Sequence, residues 1–324
     1  MSTLKKKMGA INTAEMKSFK KWSILVPELR EHSLSYFGLK SLENYAQCSK
    51  FSNEEVQKCD TKAPFYVGLK ELDAGMVVKL RYNPRRTHEL FFEKVDETHY
   101  KLSRNFIALI PRTCSIIEGN AREAALQYFA KRFKYVKTGK TPIVDIDCKT
   151  WPVECKTIPR IYQAESWKVQ LYSTMYDRFM SFMNENPNVK ELKLLSQLSN
   201  QDDMVIPSEF FKSKLFKQLD RVDFYMKSLP QDEDFLASNA SSLTLNCDTI
   251  SNNAIHRKIQ SWYDGQITDL EFFITFPTPR VVTQNEILHG IPIAMPDIII
   301  HRRDGKMAGI DLTNEAIFFK SFSM

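Results

Sequence analysis

Glycine is scarce, with 10 residues in a chain of 324. That leaves little material for loops that cradle phosphates. Neither GxGxxG nor GxxxxGK followed by Ser or Thr occurs, which disfavours a nucleotide-binding enzyme. Long apolar runs are missing too: stretches such as Ile107-Ala108-Leu109-Ile110 fall far below the ~20 residues of a membrane-spanning helix. The first residues offer no signal-sequence core, because Lys5, Lys6 and Lys7 lead into the mixed segment Met8 to Lys21 without a small-residue cleavage site. These absences predict an intracellular protein, cytoplasmic and/or nuclear, with no span through a bilayer.

Metal and hydrolase signatures are absent as well. The six cysteines, Cys48, Cys59, Cys114, Cys148, Cys155 and Cys247, lie apart with no CxxC and no Cys/His spacing suited to zinc. They are expected to be buried thiols. The six histidines form no HExxH pair, and no GxSxG marks a nucleophile elbow. No residue is therefore assigned a catalytic, cofactor-binding or metal-binding role.

What is present points to binding. Hydrophobic residues make up 43% and 22 phenylalanines are among them, enough for sizeable cores in a chain long enough for two domains of roughly 100 to 200 residues each. Charge is uneven: net +3 over residues 1–60, +8 over 61–140 and −5 over 141–324. The basic middle part includes Lys79, Arg81, Arg85 and Arg86, then Lys131, Arg132, Lys134, Lys137 and Lys140. A solvated face complementing the acidic half explains it with the fewest assumptions. Nucleic-acid binding through 79–88 and 131–140 is an alternative, which would weaken steeply with salt.

Local patterns divide the chain into a basic tail at 1–23, a helical module at 24–60, a strand-rich connection at 61–120 and an αβ region at 121–324. In the module, Pro27 suits a first helical position, Leu29, Leu34 and Phe37 recur near helical spacing, and Gly38 ends the run. Ser41 caps a second helix, and Ser52-x-x-Glu55 opens a third as a capping box. In the connection, short strands are predicted at Tyr66–Leu69, Met76–Leu80, Leu90–Phe92 and Tyr100–Leu102.

After residue 120, helix and strand alternate five times. Asn120 caps a helix bearing Leu126, Phe129 and Phe133, followed by the strand Ile143–Asp147. The spacing of Trp167, Leu171, Met175, Phe179 and Met183 predicts a long second helix before the strand Val189–Leu194. Three more units end in strands at Val222–Tyr225, Ser242–Leu245 and Leu270–Ile274. Strand-to-strand steps of 48, 32, 21 and 27 residues favour a curved, leucine-rich-repeat-like αβ stack with a concave binding face over a doubly wound sheet, whose ligand sites need a Gly-rich turn. Asp304-Gly305 marks a terminal hairpin, and the register of Trp262 with Ile255 and Ile259 places that tryptophan in the core.

The run Val26-Pro27-Glu28-Leu29 through Leu34-Ser35-Tyr36-Phe37, then Leu39-Lys40-Ser41-Leu42 and Cys48-Ser49-Lys50, resembles an F-box. The segments Ala240–Leu245, Ile259–Gly265 and Leu270–Phe272, the stretch Ile287–Ile291, and the closing Arg302-Arg303-Asp304-Gly305-Lys306-Met307-Ala308 resemble the F-box-associated (type 2) domain of nematode proteins. Together the two likenesses imply a small all-α F-box-like N-terminal module followed by the αβ stack. They imply a substrate-receptor subunit of a Skp–cullin–F-box ubiquitin ligase, in which no chemistry occurs on this chain. The Skp adaptor would be held by Pro27, Leu29, Leu34, Phe37, Leu39 and Leu42, and an unidentified target protein by the C-terminal domain. Pro27 is followed directly by Glu28 and no tryptophan follows Lys50, both departures from the usual pattern.

Two other readings stand beside this one. A protein-interaction module with a degenerate F-box would act outside ubiquitination. A metal-dependent nuclease can be sketched from Asp145 and Asp147, which alternate on one strand, with Glu191 and Lys193 on the next. Alternating polar residues on a half-solvated strand look the same.

Overall fold

The computed structural model describes residues 65–83, 86–106, 112–133, 142–158, 161–196, 204–294 and 298–322. The tail at 1–23 and the helical module at 24–60 lie outside the described residues. A single sheet of 15 strands runs through the rest.

Its first part is an antiparallel meander: β1 (Tyr66–Leu72), β2 (Gly75–Asn83), β3 (Arg86–Lys94), β4 (His99–Phe106) and β5 (Arg112–Glu118). The four stretches expected here fall within β1 to β4, each shorter than the strand that forms. Helix α1 (Ala121–Phe133) follows, capped as expected by Asn120, whose Oδ1 accepts from the backbone N–H groups of Arg122 and Glu123. Ala125, Phe129 and Phe133 of α1 are fully buried.

From α1 the chain returns to the other side of β1. Strand β6 (Ile143–Asp147) pairs parallel with β1, so the meander and the αβ series share one sheet. Then come β7 (Ser166–Gln170), β8 (Glu191–Leu195), β9 (Arg221–Lys227), β10 (Ser242–Asn246) and β11 (Glu271–Thr275), all parallel and each beside its predecessor in sequence. Strands that follow in order through right-handed crossovers place every connection on one face. Those connections hold α2 (Tyr176–Asn184), α3 (Ser208–Lys212), α4 (Lys214–Gln218), α5 (Asp232–Ala237) and α6 (Asn252–Tyr263), with two 3-10 turns between β6 and β7. After the short α7 (Gln284–Ile287), β12 (Ile293–Ala294), β13 (Ile299–His301) and β14 (Met307–Leu312) form the far edge. Strand β15 (Ala316–Phe322) joins that edge to β11.

The core lies between this face and the helices. Val67, Val144, Trp167, Leu192, Val222, Leu243, Phe272 and Phe319 are register partners across eight adjacent strands, and none exceeds 1% exposure. Such an unbroken apolar row fixes register, because a one-residue slip of any strand would turn its apolar set to the other face.

One expected element is corrected. The spacing from Trp167 to Met183 predicts a single helix, but Ser166–Gln170 is the strand β7, followed by a 3-10 turn at Ser173–Met175 and only then α2. Trp167 and Val169 are buried while Ser166, Lys168 and Gln170 are not, a period of two that the fourfold stripe conceals. The step of 48 residues from Val144 to Leu192 therefore contains two crossovers, 23 residues to Trp167 and 25 more to Leu192.

Candidate functional site

The residues alternating with the core row project from the opposite face, which carries none of the described helices. Gly68, Asp145, Lys168, Lys193, Asp223, Thr244, Phe273 and Phe318 form its central row across β1, β6 to β11 and β15. This row is polar at the β1 end and aromatic at the β15 end, where Phe273 and Phe318 meet edge to face, ring centres 6.3 Å apart.

Asp145 anchors the polar end. It is only 8% exposed, and a buried carboxylate needs partners. Lys168 Nζ lies 2.7 Å from it and the Tyr66 hydroxyl donates to it. Burial first, and then the Asp145 charge, push the Tyr66 phenol above its ordinary value, so Tyr66 keeps its proton and serves as a donor. Asp147 is paired with Lys70 at 2.7 Å and accepts from the Tyr172 hydroxyl at 3.3 Å. Its hydrogen bond raises the Lys70 ammonium above its usual range, while burial, followed by the charge of Asp147, pushes Tyr172 up to about 12. Further along, Arg221 pairs with Asp223 at 3.2 Å.

Two adjoining hollows open here. One, of about 220 Å³, is lined by Gly68, Lys70, Asp145, Asp147 and Gln170 among others. The second, of about 350 Å³, is bordered by Tyr66, Arg81, Ile143, Lys168, Lys193 and Arg221 among others. Such a surface can bind charged and hydrogen-bonding groups.

The nuclease sketch is not brought together. Strand β7 intervenes between β6 and β8, so Glu191 and Lys193 lie two strands from Asp145. Both aspartates already hold a lysine. Among the described residues no group of three or more His, Cys, Asp or Glu is placed to hold a metal ion. The thiols Cys148, Cys155 and Cys247 are buried and free, as expected. Burial pushes Cys148 and Cys247 up to about 12 and raises Cys155 as well, which keeps them un-ionised.

Of the basic positions, Lys79 pairs with Glu89 at 2.9 Å and Arg81 lies over the Tyr66 ring. The side chains of Arg85 and Arg86, and residues 134–140, lie outside the described residues. So do Pro27, Leu29, Leu34, Phe37, Leu39 and Leu42. Sequence reasoning missed Lys168 and Tyr66; the alternation Ser166-Trp167-Lys168-Val169-Gln170 was the available signal for the first.

The closing segment Arg302–Ala308 is a structural fastener. Arg302 is 8% exposed and donates through Nη1 to the carbonyls of Trp262 and Ile267 at 2.9 and 2.8 Å. Its other nitrogens grip Asp304 at 2.5 and 2.8 Å. Gly305 takes φ +88°, a conformation that strains other residues, and Lys306 Nζ reaches the Thr268 carbonyl and Asp269. Ala308 is fully buried. The segment ties the β13–β14 hairpin to the end of α6, where Trp262 is buried as its register predicts.

With this geometry in view, the sequence is 20% identical over 268 residues to an uncharacterized F-box protein of Caenorhabditis elegans, covering 76% of this chain and 67% of that one. The likeness supports an F-box protein. No family model matches the sequence, and no solved structure matches it. Among the described residues no helix is long and apolar enough to cross a membrane.

Proposed function

We propose that this chain is the substrate-receptor subunit of a Skp–cullin–F-box ubiquitin ligase. The helices of 24–60 hold the Skp adaptor through Pro27, Leu29, Leu34, Phe37, Leu39 and Leu42. The C-terminal region is an F-box-associated (type 2) domain and a leucine-rich-repeat-like stack, and it carries the target protein. The chain itself catalyses nothing. The observation that carries this reading is the F-box relative, whose likeness extends over three quarters of the chain. Six parallel strands in sequence order, with the described helices on one face and a second face that runs from polar to aromatic, support a scaffold built to present a surface.

Co-precipitation of the full chain with a Skp adaptor tests it. Retention, lost on Leu34→Asp or on deletion of 24–58, supports the receptor. An intact chain that fails to bind favours the interaction module with a degenerate F-box. Mg²⁺-dependent cleavage of nucleic acid, abolished by Asp145→Ala, would revive the nuclease.

A further inference from the structure

Most cations around the two hollows are neutralised by a neighbouring carboxylate: Lys70 by Asp147, Lys168 by Asp145, Arg221 by Asp223. Arg81 and Lys193 differ. Among the described residues no carboxylate lies within ion-pair distance of either. Each lies over a tyrosine instead, the Arg81 guanidinium 4.7 Å from the ring centre of Tyr66 and the Lys193 ammonium 4.5 Å from that of Tyr225. A ring face orients a cation without cancelling its charge. Both residues border the same 350 Å³ hollow. The adjoining hollow is lined by Gln170, whose amide nitrogen is buried without a hydrogen-bond partner. An occupant with an acceptor there would satisfy it.

We propose that the open face binds an extended acidic peptide segment of a protein target, with one carboxylate at Arg81 and a second at Lys193. The proposal rests on the substrate-receptor reading and names the chemistry that the receptor selects. Arg81 on β2 and Lys193 on β8 are separated by β1, β6 and β7. Four strand spacings of ~4.8 Å make roughly 19 Å, which an extended chain crosses in about six residues. Glu191 and Asp223 also line the hollow. That mixture admits two spaced carboxylates and repels the unbroken phosphate string of a nucleic acid.

Fluorescence anisotropy of the full chain tests this with a labelled peptide of serine and glycine carrying two glutamate pairs centred six residues apart. The comparisons are the same peptide with lysine for glutamate, one with the four glutamates contiguous, and a single-stranded oligodeoxythymidine. The spaced acidic peptide should bind most tightly and weaken with salt. Arg81→Glu with Lys193→Glu should weaken it at least about tenfold. Lys320→Glu, on the same face but paired with Glu271 beyond the hollow, should leave it unchanged. Should the double variant fold poorly by circular dichroism, the milder Arg81→Gln and Lys193→Met should each weaken binding about threefold. Equal binding of the lysine peptide, variants that bind like the parent, or tighter binding of the oligonucleotide would overturn the proposal. Adaptor retention is measured on the same preparations: a chain that holds the adaptor but ignores the acidic peptide loses only this proposal, and one that fails to hold the adaptor loses the receptor reading.

Discussion

Tyr66 donates its hydroxyl to Asp145 across the parallel pair of β1 and β6, and it reaches there by laying its ring against Gly68. Gly68 is the register partner of Asp145, so the missing side chain makes the room that the ring occupies. Arg81 then stacks on the ring. A glycine, a tyrosine and a buried carboxylate thus hold one of the two uncancelled cations of the open face in place.

A Cβ at Gly68 would come within 3.1 Å of the Tyr66 ring, closer than ordinary contact. Gly68→Val should therefore expel the ring, lowering stability by about 1–3 kcal/mol in chemical denaturation and loosening Arg81. Tyr66→Phe keeps the ring and removes only the hydrogen bond to the buried carboxylate, at about 1.5–3 kcal/mol. Equal denaturation midpoints for Gly68→Val and the parent would refute the arrangement.

Trp167 lies in the unbroken core row, its Nε1 donating to the Ala164 carbonyl at 3.0 Å and its ring 5.4 Å from Phe182. Trp167→Ala should cost about 3–5 kcal/mol through the cavity it leaves. Lys168→Ala, one residue away on the other face, removes a part-exposed ion-pair partner of Asp145 and should cost less. The same denaturation series reads both, and a reversed order would contradict the strand assignment of β7.

Lys258 of α6 is 2% exposed and donates to the carbonyls of Phe235, Leu236 and Ser238 at the end of α5. Burial pulls its ammonium down to about 8, below its ordinary 10.5. Between those values the unfolded chain binds a proton that the folded one has released, so this group makes stability rise with pH across that window. Thermal melts from pH 8 to 10.5 should show that rise in the parent relative to Lys258→Met. Parallel curves would remove the claim.

The fastener at the hairpin has the same sign of pH dependence, in the acid range. The Arg302 hydrogen bonds hold the Asp304 carboxyl down to about 2. Its stabilisation is complete above the unfolded carboxylate range and disappears as pH falls from about 4 to 2. Asp304→Asn should flatten that part of the acid-unfolding curve. Arg302→Ala removes its bonds to the Trp262 carbonyl, which keeps the Gly265 N–H, and to the part-buried Ile267 carbonyl, and should cost about 1–3 kcal/mol at neutral pH.

The sequence displays its strands better than its connections. The alternation in Ile143–Asp147 and Val222–Tyr225 and the cap at Asn120 are local signals, and each marks an element that forms. Strand β7 escapes because Trp167, Leu171 and Met175 satisfy a helical spacing while belonging to a strand, a loop and a 3-10 turn. That error also hid the strand between β6 and β8, which made Asp145 and Glu191 look like neighbours. The open face was half visible: Asp145 and Asp147 show their alternation, but Tyr66, Gly68 and Lys168 come from two other strands, 79 and 23 residues distant for the bonded pairs, and only pairing brings them together. Arg302, Asp304, Gly305 and Ala308, close in sequence, act together as a fastening of the hairpin.

The measurement that bears most directly on the account is the equilibrium binding of the full chain to a purified Skp adaptor, parent against Leu34→Asp. The receptor reading predicts a saturable complex with the parent and at least a tenfold loss with the variant, since a charge in an apolar contact leaves it desolvated and unpaired. A parent chain that forms no complex, or a variant that binds as well as the parent, would contradict it.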